Sequence, residues 1–173
     1  RLMIGWSGCP DATAKSPTVA RGWQCALTVP RKLSMRDGKL CQQPVHEIER
    51  MRGDCVCATG GETVEEPGRL FDLVVSCEGA QVIELEIRKG VFVRYADGML
   101  TLDMGDEGYG RDQRSIELSE LRDLRVLSDT TMVEIFANGG EAALTSRTYS
   151  PAVPAMELHA EGAVSMNFYR LVH

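Results

Sequence analysis

The sequence predicts an all-β protein whose main part is an antiparallel β-sandwich. From about Cys57 onward, runs of strand length follow one another, and apolar and polar residues alternate in them with the two-residue period of a strand. Glycine-containing turns, such as Lys89-Gly90 and Asp97-Gly98, separate these runs at intervals of roughly ten residues, a spacing typical of a sandwich or barrel. No glycine-rich nucleotide-binding motif and no alternation of strands with helices favours another fold class.

The first part of the chain is interpreted as the remnant of a different sheet. Two apolar segments, "RLMIGW" and "CALTV", flank a polar loop, and the chain starts within a strand-like run, so we expect the parent protein to continue upstream of Arg1. We therefore divide the chain into residues 1–33 (remnant), 34–56 (linker) and 57–173 (sandwich). In the linker, Val45, Ile48 and Met51 at helical spacing predict a two-turn helix with Pro44 at its first position.

The sandwich region predicts nine strands or strand pairs in succession. In "QVIELEIR", Ile83, Leu85 and Ile87 are expected to face the core, and Glu84, Glu86 and Arg88 the other side. The runs are "LFDLVVSC", "QVIELEIR", "VFVRYA", "MLTLDM", "RSIELS", "LRVLSD", the hairpin "DTTMVEIFANGGEAALTSR", "AMELHA" and "VSMNFYRLV".

The hairpin is the clearest local signal. Residues 132–137 alternate as a strand whose two faces are both covered, and Asn138-Gly139-Gly140 supplies the positive φ that a two-residue hairpin turn needs. The second strand runs to Pro151, which has no amide hydrogen for a ladder.

Composition narrows the class of protein. The chain has 173 residues, 43% of them hydrophobic, and a formal net charge of −6 with a pI near 5.1. Without a basic stripe we expect no nucleic-acid partner, and without a run of about eighteen apolar residues we expect no membrane span.

Six cysteines, at positions 9, 25, 41, 55, 57 and 77, are predicted to be reduced thiols, mostly buried in strands, which favours the cytoplasm. Cys55-Val56-Cys57 lacks the usual zinc spacing, and only His46, His159 or His173 could complete such a site, so we expect no metal and no cofactor.

Three segments in order resemble glycoside hydrolase family 32, the β-fructofuranosidases. They are "IGW" with "GWQCALTVPRKLSMRDGKLCQQPVHEIERMR", then "LTLD", then "VEIFANGGEAALTSRTYSP". The most specific residues are Pro30-Arg31, Asn138-Gly139 and Thr145-Ser146-Arg147.

This resemblance implies a five-bladed propeller with the active site, a linker and a C-terminal sandwich, of which the chain would hold the end of the last blade, the linker and the sandwich. The implied substrates are sucrose, sucrose 6-phosphate or a fructan, and the implied partner is the missing N-terminal propeller.

The family's catalytic motifs are not found in the sequence, so we expect no catalytic residue in this chain and no hydrolysis by the chain alone. The family's R-D-P motif is not formed at Arg36-Asp37, which is followed by Gly38 instead of Pro. The family's E-C motif is not formed at Cys77-Glu78, where the order is reversed. Asp103, Asp106 and Glu107 could imitate a carboxylate pair, but the neighbouring glycines favour a solvated loop. The other acidic residues are expected in turns or on solvent faces, where nothing raises a pKa.

Trp6 is the one candidate substrate contact, since the resemblance implies an aromatic residue near the fructose pocket; packing against the sandwich is the alternative. We interpret Trp23 as an inter-domain packing residue, and His46 and His159 as structural. Two other functions stay open: a lectin-like carbohydrate-binding module, which the scattered tyrosines do not favour, and an oligomerisation element.

Overall fold

The computed structural model describes residues 1–8 and 16–172, and antiparallel strands dominate it, as predicted. Besides strands, these described residues form three 3-10 helices: η1 (Pro17–Arg21), η2 (His46–Met51) and η3 (Gly105–Gly108). None of the helices in the described ranges has the length and apolar character needed to cross a membrane. The strands are β1 (Leu2–Met3), β2 (Trp6–Ser7), β3 (Ala26–Leu27), β4 (Arg31–Arg36), β5 (Lys39–Pro44), β6 (Arg52–Thr59), β7 (Thr63–Glu65), β8 (Phe71–Ser76), β9 (Val82–Arg88), β10 (Val91–Ala96), β11 (Met99–Asp103), β12 (Gln113–Glu117), β13 (Asp123–Ser128), β14 (Met132–Ala137), β15 (Ala142–Arg147), β16 (Ala155–Glu161) and β17 (Ser165–Leu171).

Two six-stranded sheets form the predicted sandwich. Sheet A has the order β12-β11-β10-β9-β16-β7, and sheet B the order β15-β14-β13-β8-β17-β6. All pairs are antiparallel. The last two strands lie next to the edge strands of the two sheets: β16 lies between β9 and β7, and β17 between β8 and β6.

The hydrophobic core lies between the two sheets. It takes Ile83, Leu85 and Ile87 from sheet A, as predicted, and residues such as Leu73 and Phe168 from sheet B, each no more than 1% exposed. Burying an aliphatic or aromatic side chain of this size contributes about 1.5–3 kcal/mol, so this alternating pattern is the main reason that the strands form two stacked sheets.

The N-terminal strands form two small sheets beside the sandwich. Strands β1, β4 and β5 make one sheet, and β2 pairs with β3. In and between these strands the apolar side chains Leu2, Ile4, Trp6 and Leu27 are 56–70% exposed, so this part of the chain has an uncovered apolar surface. The proposed division at residue 33 stays a prediction; β4 runs across it.

The predicted short linker helix is present as the 3-10 helix η2, but it starts two residues later than predicted. Residues 46–51 form a 3-10 helix without a buried residue, and Pro44 instead ends edge strand β5, paired with Arg31. A two-turn α-helix without a packed face is marginal in water, and an edge strand tolerates a residue that cannot donate a hydrogen bond.

The hairpin is confirmed, but its turn is longer than predicted. The last pair is Ala137 with Ala142, so residues 138–141 form a four-residue loop. Asn138, Gly139 and Gly140 all have positive φ, at 52°, 62° and 86°. All six residues of β14 are buried, which confirms that both of its faces are covered.

Arg88 differs from its predicted place facing away from the core. It is fully buried and donates to Ser128 Oγ from Nε (3.1 Å) and Nη2 (2.8 Å). It also donates to the carbonyls of Arg69, Thr130 and Ser150 at 3.1–3.3 Å, and to that of Asp129. Burial, with a smaller effect of the Arg69 charge, lowers its pKa to about 10, so it stays charged at neutral pH. One side chain therefore ties together the loops at this end of the sandwich.

Candidate functional site

The junction between the N-terminal strands and the outer face of sheet B brings together the first and third of the sequence segments that carry the family resemblance. At its centre is Glu134 of β14, which is 2% exposed. Its Oε1 accepts a hydrogen bond from the Val29 amide (2.7 Å), and its Oε2 accepts one from Arg31 Nη2 (2.5 Å). The Arg31 guanidinium also donates to Thr145 Oγ1 (2.6 Å) and lies 5.0 Å from the centre of the Phe136 ring.

Glu134 corrects the expectation that every acidic residue lies in a turn or on a solvent face. Burial raises the pKa of its carboxyl group, against the Val29 amide and Arg31, which lower it. Asp72 is also fully buried. The expectation failed because β14 and β8 have their second face covered by other parts of the chain. For β14 this agrees with the predicted burial of both faces, which excludes a solvent position for Glu134.

Asp72 is held by two arginines beneath the linker. Its Oδ2 accepts from Arg52 Nε and Arg125 Nη2 (both 2.7 Å), and its Oδ1 accepts from Arg125 Nε (2.9 Å). Glu49 of η2 contacts Arg125 at 3.3 Å, and Arg52 lies over the Tyr169 ring. Glu49, Arg52, Arg125 and Tyr169 line a cleft of about 480 Å³ between the β4–β5 hairpin and sheet B, whereas Asp72 lies beneath them. Both buried carboxylates of the described chain are thus bound by arginines, as structural ion pairs are.

The 138–141 turn docks on strand β5. The Gln42 amide donates to the Gly140 carbonyl (2.8 Å), and Arg36 donates to the Asn138 carbonyl. The Asn138 side chain fixes the turn from the other side: its Oδ1 accepts from the Arg122 amide, and its Nδ2 donates to the Glu120 carbonyl, both at 2.8 Å. The turn is therefore part of the junction.

Arg147 fastens the far end of the junction. Its Nε donates to the Thr131 carbonyl (2.9 Å), and its Nη1 to the carbonyls of Gln24 (3.3 Å) and Ser7 (3.5 Å). Its guanidinium carbon lies 5.3 Å from the centre of the Trp23 ring. Trp23, 41% exposed, thus makes the kind of contact between segments that was predicted for it.

Trp6 lies beside this contact, on β2, and is 58% exposed. The Trp6 ring packs against Gly8, and a Cβ added at Gly8 would lie 2.3 Å from the nearest ring carbon of Trp6. Trp6 lines a cavity of about 260 Å³ together with Arg111 and Arg147. Its role as a substrate contact stays a prediction.

The acidic loop after β11 does not gather its carboxylates toward one point. Asp103 pairs with Arg94 on the neighbouring strand, Glu107 accepts a hydrogen bond from Ser150 Oγ (2.8 Å), and Asp106 is exposed. Within residues 1–8 and 16–172, no group of three or more His, Cys, Asp or Glu side chains could hold a metal ion.

Neither described histidine contacts a nucleophile. His46 and His159 have exposed side chains near Glu47 (3.3 Å) and Glu157 (3.6 Å). His173 and Cys9 lie outside the described residues.

The predicted burial of the strand cysteines holds for only part of the set. Cys41 and Cys77 are buried, and burial raises the pKa of Cys77 to about 12. Cys25, Cys55 and Cys57 are exposed. Cys55 and Cys57 lie on β6, an edge strand of sheet B whose outward face is not covered, with their sulfurs 3.5 Å apart.

Comparison with known proteins agrees with the geometry. Residues 1–44 match the model of the glycosyl hydrolases family 32 N-terminal domain, and residues 92–171 match that of the glycosyl hydrolases family 32 C terminal. A raffinose invertase of Escherichia coli is 34% identical over 177 residues, covering 88% of this chain and 34% of the relative. A sucrose-6-phosphate hydrolase of Salmonella typhimurium is 32% identical over 162 residues, with 88% and 32% covered.

Solved structures show the same fold. A sucrose-6-phosphate hydrolase from Lactobacillus gasseri superposes with a TM-score of 0.84 at 21% identity, covering 98% of this chain and 38% of that one. A family 32 β-fructofuranosidase of Bombyx mori gives a TM-score of 0.79 at 19% identity, with 99% and 38% covered. The chain spans about a third of the length of the curated relatives it matches.

The sandwich, the small sheets packed on it and the matched segments define the class of glycoside hydrolases that carry a C-terminal β-sandwich. Within that class, the chain belongs to glycoside hydrolase family 32.

Proposed function

We propose that the chain serves a retaining glycosidase that removes terminal β-D-fructofuranosyl units, and that its sandwich holds the last strands of the propeller in position. The supporting names among its relatives are raffinose invertase and sucrose-6-phosphate hydrolase. The substrate class is therefore sucrose, its 6-phosphate or a fructan, and the cytoplasm is the proposed location.

One observation carries the structural role. Three residues of the family-like segments join the N-terminal strands to sheet B: Arg31 donates to Glu134, the Asn138 carbonyl accepts from Arg36, and Arg147 donates to the Ser7 carbonyl. The carboxylate at this junction, Glu134, is neutralised by Arg31. A retaining glycosidase needs two carboxyl groups roughly 5–5.5 Å apart, one of them free to attack and the other to donate a proton. A carboxylate that already accepts from an arginine and a backbone amide does neither, so the catalytic pair is assigned to the propeller.

Trp6 is proposed as the residue of this chain nearest the sugar. An indole that is more than half exposed offers a face for the C–H surface of a fructose ring. In the parent enzyme, Trp6→Ala is expected to raise KM more than it lowers kcat, whereas Trp23→Ala, the matched control, is expected to lower stability with KM unchanged.

The direct test is to incubate the purified chain with sucrose, sucrose 6-phosphate and inulin and to measure released fructose. We expect no release above a buffer blank. Turnover that disappears when a carboxylate of this chain is replaced would contradict the proposal, because it would place the active site here.

A further inference from the structure

The cavity beside Trp6 collects buried hydrogen-bonding atoms that have no partner. In the described part of the chain, four buried side-chain atoms lack one: Arg31 Nε, Arg111 Nη1, Ser146 Oγ and Arg147 Nη2. All four residues line the same cavity of about 260 Å³. The exposed fractions of these four residues are 5%, 8%, 3% and 2%. Because an unpaired buried polar group is strongly unfavourable, their convergence indicates an acceptor in this cavity.

The charge of the cavity defines that acceptor. Arg111, Arg114 and Arg147 line it, and none of them enters an ion pair within residues 1–8 and 16–172. Its described lining contains no acidic side chain. Arg31 is already neutralised by Glu134, so three positive charges remain. Guanidinium groups bind carboxylates and phosphates through paired N–H donors, and the cavity is smaller than the pockets of drug-sized ligands.

We propose that this cavity is a binding site for a small oxyanion, with phosphate as the best match, held by Arg111, Arg114 and Arg147. Bound there, the anion would contact both β2 and the β15 end of sheet B, and so would strengthen the junction. The phosphate can be a free ion or the phosphate group of a sugar. This site goes beyond the proposed function and does not depend on it.

The experiment is a calorimetric titration of the purified 173-residue chain with inorganic phosphate at constant ionic strength. Calorimetry is preferred to a thermal shift because phosphate stabilises most proteins without binding them. We expect saturable binding that is weakened about tenfold or more in Arg111→Gln, since one charge-assisted contact is lost. Arg111→Lys should recover part of the affinity.

Arg122→Gln is the matched control, because Arg122 is a surface arginine paired with Glu120 and Glu141 and does not line the cavity. Its affinity for phosphate should stay within about twofold of the wild type. If Arg111→Gln does not fold, Arg114→Gln decides the question, because Arg114 is exposed and its replacement should leave the fold intact. The Arg114→Gln variant should bind phosphate several-fold more weakly than the wild type. Absence of saturable binding, or equal affinity in the cavity variants and the control, would overturn the proposal.

Parallel titrations with glucose 6-phosphate and glucose separate the two sources of phosphate. Binding of glucose 6-phosphate at least as tight as inorganic phosphate, with none for glucose, supports a sugar phosphate. Binding of inorganic phosphate alone supports the free ion.

Discussion

Alanine at Gly140 tests the docking of the 138–141 turn on strand β5. A Cβ at Gly140 would lie 2.0 Å from the Gln42 carbonyl oxygen and 2.6 Å from its carbon, so either the turn or β5 must move. The displacement breaks the hydrogen bond from the Gln42 amide to the Gly140 carbonyl (2.8 Å), which loses about 0.5–1.5 kcal/mol of stability. Overpacking by the new methyl group adds a loss of about 1–3 kcal/mol. Alanine at φ 86° adds roughly 1–2 kcal/mol. The expected loss in the free energy of unfolding is therefore about 2.5–6.5 kcal/mol, against the 5–15 kcal/mol typical of a domain.

Two other glycines with positive φ separate these contributions. Gly38→Ala has no atom within 4 Å of its new Cβ, so it should cost only the roughly 1–2 kcal/mol of backbone strain. In Gly139→Ala the new Cβ lies 2.7 Å from the tip of the flexible Arg36 side chain, which can move at the expense of its hydrogen bond to the Asn138 carbonyl. Its cost should therefore lie between those of Gly38→Ala and Gly140→Ala. Urea unfolding of the three variants and the wild type measures the differences. Equal losses for Gly38→Ala and Gly140→Ala would refute the close docking of the turn on β5.

Three further predictions concern buried groups. Glu134→Gln should destabilise the chain by about 3 kcal/mol, because the variant leaves the Arg31 charge buried without its partner. Chemical denaturation measures the free energy of unfolding, and a loss below about 1 kcal/mol would contradict the buried pair. Arg88→Met should lower the free energy of unfolding by about 3–5 kcal/mol. Arg88→Lys should restore little of that loss, because an ammonium group cannot reproduce the forked guanidinium that binds Ser128 Oγ and the loop carbonyls. A melting temperature of Arg88→Lys equal to that of the wild type would contradict this. Since the pKa of Cys77 is raised to about 12 in the fold, its thiol adds stability that is complete below about pH 9 and is lost between pH 9 and 12, by up to about 1.4 kcal/mol per pH unit. Cys77→Ala should remove that slope, as measured by unfolding at several pH values, and an unchanged slope would show that another group causes it.

The strands of the sandwich could be predicted from the sequence because burial of one face leaves a period of two. Ile83, Leu85 and Ile87 show this pattern in isolation, and it needs no knowledge of the rest of the chain. The helix at residues 46–51 could be predicted from the helical spacing of its apolar residues, but its start could not, because Pro44 pairs with Arg31 at the end of strand β5.

The buried charges could not be predicted because their partners are distant in sequence. Glu134 and Arg31 are separated by 103 residues, and Asp72 and Arg125 by 53. The available signal was the β14 pattern itself, since a glutamate in a strand covered on both faces must have a cationic or donor partner. The cavity beside Trp6 could not be located from the sequence, because Arg114 lies on β12 of sheet A and Arg147 on β15 of sheet B.

The positions of β16 and β17 have a consequence for synthesis on the ribosome. Strand β6 can pair with its neighbour only after residues 165–171 have been translated, and β7 must wait for residues 155–161 in the same way. Until then both sheets are split, and β8 and β9 each present an open edge with an apolar face. Such edges favour association with other chains, and pairing over about a hundred residues is slow because the loop must close first. The emerging sandwich therefore stays unfinished, and in need of protection from aggregation, until its last strand has left the ribosomal tunnel.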